Sequence, residues 1–166
     1  MVIVSAPISG MQFQGEMPTQ VFEMITARRE GDFARAVELH VQIWADGFRR
    51  GSGRAEEKVR QRVRQMGLQA LTNQADFLKE TGFLAEEPLS PPAIGRLEQL
   101  GMPTLVMAGD LDDENVVRAT DLLAQRVPNS RKRIIAGAAH LPGMEKPEEF
   151  NRIVLGFLNS VSAEKQ

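Results

Sequence analysis

Apolar positions change their spacing along the chain, and the changes divide it. Val2, Ile3 and Val4 form a continuous β-branched run closed by Ala6-Pro7, the pattern of a short strand buried on both faces. From residue 17 to about residue 85 the period becomes helical. Val21, Met24 and Ile25 share one face. Phe33, Ala36, Val37, His40, Val41, Trp44 and Phe48 then follow at i, i+3, i+4, i+7, i+8, i+11 and i+15, which predicts a helix whose start Asp32 caps. Gly51-Ser52-Gly53 breaks that pattern. Val59, Val63, Met66 and Ala70 mark another helix, and Phe77 to Leu84 a short one.

Beyond Pro88, Pro91 and Pro92 the rhythm alternates. Pro103 to Gly109 reads as a buried strand, Val116 to Val127 as a helix, Lys132 to Ala136 as a strand and Pro147 to Val161 as a helix. In that last helix Phe150, Ile153, Val154, Phe157, Leu158 and Val161 make an apolar stripe, with Pro147 in the first turn, where its missing N–H is harmless. Strand, helix, strand, helix with short connections implies an α/β fold with a parallel sheet. The reading is of three strands, with an all-helical insertion of about 75 residues between the first and second. Parallel sheets normally have more strands, so this one looks incomplete.

The composition narrows the function classes. At 166 residues, 42% hydrophobic and 25% charged, the chain has the makeup of one globular domain. With 20 Lys and Arg against 22 Asp and Glu the net charge is -2, which provides no overall pull toward nucleic acid or anionic lipid. The basic cluster Arg49, Arg50, Arg54, Lys58, Arg60, Arg62 and Arg64 is interrupted by Glu56 and Glu57, and reads as a solvated helix face. The absence of Cys excludes disulfides, thiolate metal sites and a cysteine nucleophile within these residues, and suits a reducing compartment. No apolar run approaches the ~18 residues of a membrane span, and the first residues lack the basic region of a signal peptide. The expectation is a cytoplasmic protein.

Candidate chemistry gathers in two loops that follow the last two strands, where ligands bind in open α/β sheets. One is Gly109-Asp110-Leu111-Asp112-Asp113-Glu114, the other Gly137-Ala138-Ala139-His140-Leu141-Pro142. A carboxylate on one imidazole nitrogen fixes the tautomer, so that the other nitrogen can act as a general base. Asp110 and Asp113 compete with Asp112 for the carboxylate role, since acidic residues also collect at helix N-termini. A calcium loop fits poorly, because its sixth position is Asn115 rather than Gly. His40, on the apolar stripe beside Trp44, reads as a packed or pocket-lining residue.

These motifs resemble the C-terminal half of the α/β-hydrolase-fold family. Gly109 and Asp112 match the family's Gly-x-x-Asp acid loop, Gly137 and His140 its Gly-x-x-His loop, and Pro147 to Phe150 the start of its last helix. The resemblance implies a first core strand over 1–10, a helical cap over 11–88, and core strands and helices carrying catalytic Asp112 and His140 over 89–166. It implies a serine-type hydrolase acting on small carboxylic esters or lactones, with no cofactor and no metal. The family's nucleophile sits between small residues on a tight turn early in the chain, and no serine among these 166 residues is flanked that way. The implied reading is therefore a truncated hydrolase, inactive alone. The alternative is a non-catalytic fragment that pairs with a protein partner through its exposed first strand.

Overall fold

The computed structural model describes residues 1–47, 53–81 and 89–163, with the backbone alone over 75–81. It divides into two compact units, Met1–Gln14 with Pro88–Gln166, and Gly15–Glu87.

The first unit is built on a parallel sheet of three strands, β1 (Val2–Val4), β2 (Thr104–Gly109) and β3 (Ser130–Ile135), in that spatial order. Val2 lies opposite Leu105, and Thr104 opposite Ser130. Side chains alternate across a strand, so β2, buried along its whole length, feeds two cores. Val106 packs with Ile8, Leu97 and the apolar face of helix α4 (Glu114–Arg126), namely Ala119 and Leu123. Leu105 and Met107 pack on the other face with Ile135, Ala138 and Phe157 of helix α6 (Pro147–Ala163). Burying each such side chain contributes about 1.5–3 kcal/mol, so β2 is the strand on which this unit depends most. A 3-10 segment, Ala93–Gln99, precedes β2, and the one-turn helix α5 (Pro142–Glu145) follows β3; neither has an apolar run long enough to be seen in the sequence.

Two expectations need correction here. β1 does pack on both faces, Ile3 against the Val106 core and Val2 and Val4 against the Leu105 and Met107 core, but the three stay half-buried rather than buried, since β1 has β2 as its one strand neighbour among the described residues. Leu158 is 46% exposed and leaves the α6 stripe, whose fully buried member is Phe157. The stretch after β1 is tied to the rest of the unit by backbone: Ser5 N donates to Met107 O, and Ile94 N to Ser9 O. Gly10, at φ +86°, is required where it stands, since a Cβ would come within 2.6 Å of Pro92 Cβ.

The second unit is helical. Helix α1 (Thr19–Glu30) buries Met24 and Ala27 and ends at Gly31 in the left-handed conformation. Helix α2 (Phe33–His40) starts as predicted, with Asp32 Oδ1 accepting from Arg35 N at 3.0 Å. It does not stay α-helical: Val41–Ala45 is a π-helical turn, closed by Asp46 N donating to Val41 O. Phe48, at the end of the predicted stripe, lies outside the described residues.

Helix α3 (Glu57–Thr81) is one continuous helix through the start of the segment read as a separate short one; Gly82 to Leu84 lie outside the described residues. Met66 is 50% exposed and Ala70 is also exposed, so the buried ridge is Val59, Val63 and Leu71, spaced by four and eight. Gly67 completes it. A Cβ at Gly67 would meet the Val37 methyls at 3.5 and 3.6 Å, ordinary van der Waals contact, so Gly67 faces α2 with room for a methyl.

Arg60 also departs from the expected solvated face. It is 7% exposed, and its guanidinium pairs with the fully buried Asp46 carboxylate and, at 3.1 Å, with Glu38. Arg64 joins the same network through Glu38 at 2.7 Å and Glu57 at 3.0 Å. Burial pushes the Asp46 carboxyl up, but the Gly53 N–H, Arg60 and the Ala55 N–H together outweigh it and hold the group below its ordinary value. Hydrogen bonding from Arg64 likewise lowers Glu38. Arg49 and Arg50 lie outside the described residues.

Candidate active site

At the C-terminal end of β2 the chain must turn directly beneath the loop that leaves β3. Gly109 makes this feasible: a Cβ there would stand 2.0 Å from Ala138 O and 2.5 Å from Ala139 O. The two loops then join, with Asp110 N donating to Ile135 O and Leu111 N to Ala138 O. Loops cross at a distance that any side chain at 109 would forbid.

The three aspartates of the first loop have different partners. Asp113 caps α4, its Oδ1 accepting from Asn115 N at 2.9 Å. Asp110 Oδ1 accepts from Gly137 N at 2.7 Å. Asp112 turns toward the second loop. Its carboxylate, 1% exposed, stands 3.0 and 3.1 Å from His140 Nδ1 through its two oxygens, and Oδ1 also accepts from Asp113 N at 2.8 Å.

An ionised carboxylate only accepts hydrogen bonds, so a neutral His140 in this pair carries its proton on Nδ1. That leaves the Nε2 lone pair, on a ring 22% exposed, as the basic nitrogen. The structure thus brings Asp112 and His140 together and sends Asp110 and Asp113 elsewhere.

Glu145 was not singled out in the sequence. It reaches back from α5 to accept from Ala139 N at 2.9 Å. Its signal was weak, a single acidic residue five positions after a histidine.

Among the described residues no group of three or more His, Asp and Glu could hold a metal ion. No described helix is long and apolar enough to cross a membrane. His40 lies in the other unit, its ring edge-on to Trp44 with centroids 6.2 Å apart.

Comparison with known proteins bears on the fold. No protein-family model matches the chain. The chain is 29% identical over 128 residues to the pimeloyl-[acyl-carrier protein] methyl ester esterase of Aeromonas hydrophila, a match covering 77% of this chain and 47% of that protein. The solved structure of MGS-M2, an α/β-hydrolase enzyme from a deep-sea metagenome library, superposes with a TM-score of 0.63 over 96% of this chain and 55% of that one, at 16% identity. The chain has an α/β-hydrolase fold. Est816, described as an N-acyl homoserine lactone degrading enzyme, shares this α/β-hydrolase architecture at a TM-score of 0.63, with 22% identity over 94% of this chain and 56% of its own. The chain spans about half the length of the relatives it matches.

Proposed function

We propose that these residues supply the acid and base of a serine-type α/β-hydrolase that cleaves small carboxylic esters or lactones. The observation that carries the reading is the 3.0 Å approach of His140 Nδ1 to Asp112. In this role Asp112 holds the imidazole by Nδ1, and Nε2 takes the proton of a serine hydroxyl as its oxygen attacks the acyl carbon. The imidazolium then protonates the leaving alkoxide. In the second half, Nε2 deprotonates a water that attacks the acyl-enzyme, and the imidazolium returns that proton to the serine oxygen as the acyl–oxygen bond breaks and the acid leaves. The similarity to an ester-cleaving and to a lactone-degrading protein supports this substrate class. On the same proposal, residues 11–88 correspond to the family's helical cap.

The nucleophile and the oxyanion donors come, on this proposal, from polypeptide other than these 166 residues, since none of the serines present has small residues on both sides. The purified chain should therefore leave a p-nitrophenyl ester intact at the rate of buffer alone. Turnover that His140→Ala abolishes would place the nucleophile inside the chain and contradict the proposal. Coding DNA upstream of Met1 should hold an in-frame Gly-x-Ser-x-Gly; a protein expressed with that segment should hydrolyse the ester and lose about 100-fold or more of its rate with His140→Ala. If the upstream DNA holds no such motif, the second reading gains: a fragment completed by a separate chain along β1, whose residues are half-buried and paired on one side by β2.

A further inference from the structure

Resting on that acid–base reading, we infer that Asp110 and Glu145 are positioning residues whose carboxylates fix the His140 loop, and through it the ring, against Asp112. The loop Gly137-Ala138-Ala139 has no polar side chain with which to satisfy its own backbone. Each of its three residues is instead tied from outside. Gly137 N donates to Asp110 Oδ1 at 2.7 Å, Ala138 O accepts from Leu111 N at 2.9 Å, and Ala139 N donates to Glu145 Oε1 at 2.9 Å.

The two carboxylates act from different directions. Asp110 stands two residues before Asp112, so its bond ties the start of the histidine loop to the acid loop itself. Glu145 closes a short circuit around His140, joining the residue before the imidazole to the end of α5. Amide bonds to ionised acceptors are shorter and stronger than neutral ones, and the Ala139 amide belongs to a fully buried residue that has to be satisfied. A ring held at 3.0 Å from a carboxylate needs its Cα fixed to within a few tenths of an ångström, and a flexible Gly-Ala-Ala loop cannot do that unaided. Gly109 contributes by absence, giving Ala138 and Ala139 the room to lie close enough for both clamps.

The test is an NMR comparison of the 166-residue chain with Asp110→Ala, Glu145→Ala, and the acceptor-keeping variants Asp110→Asn and Glu145→Gln. Amide exchange of Gly137 and Ala139 reports the clamps, and long-range proton–nitrogen correlation of the His140 ring reports its tautomer. In the unaltered chain both amides should be protected. Each Ala variant should lose about tenfold of the protection at its own amide and shift the ring from the Nδ1–H form to a mixture, while Asn and Gln restore most of both. A ring spectrum unchanged in folded Ala variants, or no rescue by Asn and Gln, overturns the inference. If an Ala variant fails to fold, rapid exchange of the two amides in the unaltered chain overturns it just as well. A ring signal in the unaltered chain that does not respond to Asp112→Ala counts instead against the acid–base reading, which the amide measurements do not touch.

Discussion

Asp46 shows how much one buried charge can organise. Its carboxylate accepts from Gly53 N at 2.9 Å, from Ala55 N at 3.0 Å and from the Arg60 guanidinium, while Arg54 reaches the Asp46 and Ala45 carbonyls. Asp46→Ala removes all three acceptor contacts and leaves Arg60 buried with less of its charge matched, so a loss of about 3–5 kcal/mol is expected in urea unfolding. The pH dependence follows from the lowered carboxyl. A group whose folded pKa is depressed contributes fully above its unfolded value of 3.8, and the contribution disappears as pH falls through the lower folded value. The urea midpoint of the native chain should thus drop more steeply between pH 5 and pH 2 than that of Asp46→Asn; equal slopes would show that Asp46 is not the group responsible. None of this was legible beforehand. A run of arginines at 54, 60, 62 and 64 gives no sign of which one turns inward, because the partners Glu38 and Asp46 lie up to 26 residues away.

At the scale of elements, two glycines predict opposite outcomes. Gly67→Ala places a methyl at ordinary van der Waals distance from Val37 and removes the helix-interior cost of glycine, so α3 should gain up to about 1 kcal/mol. Gly109→Ala forces a Cβ into the Ala138 carbonyl and should cost on the order of 3 kcal/mol or more, with the 137–140 amide signals displaced. Chemical unfolding of both variants checks the pair; a tolerated Gly109→Ala would mean that the two loops do not lie as close as described. Elements with a strong period were readable from the sequence: β2, α4 and α6 fall within a few residues of their expected positions. The π-turn at Val41–Ala45 was not, since one extra residue in a turn shifts the hydrogen bond without spoiling a stripe that is apolar on both sides of it. Gly67 was missed for a related reason. A ridge can include a residue with no side chain, and periodicity counts only side chains.

For the molecule as a whole, the sheet of the first unit and the Asp112–His140 meeting were the parts most visible in the sequence, because strand ends in a parallel sheet fix where the following loops go. The choice of Asp112 over its neighbours rested on motif resemblance; in the structure Asp112 is the one of the three that meets His140, while Asp113 caps a helix and Asp110 holds the Gly137 amide. What sequence periodicity could not supply was the support around the pair, since Glu145 and Gly109 act through single contacts with backbone. The central claim is that a carboxylate orients one imidazole so that Nε2 is the base. Long-range proton–nitrogen correlation of the His140 ring at neutral pH tests it directly. The account predicts a ring protonated at Nδ1, with that preference abolished by Asp112→Ala; a ring protonated at Nε2, or one indifferent to the substitution, would contradict it.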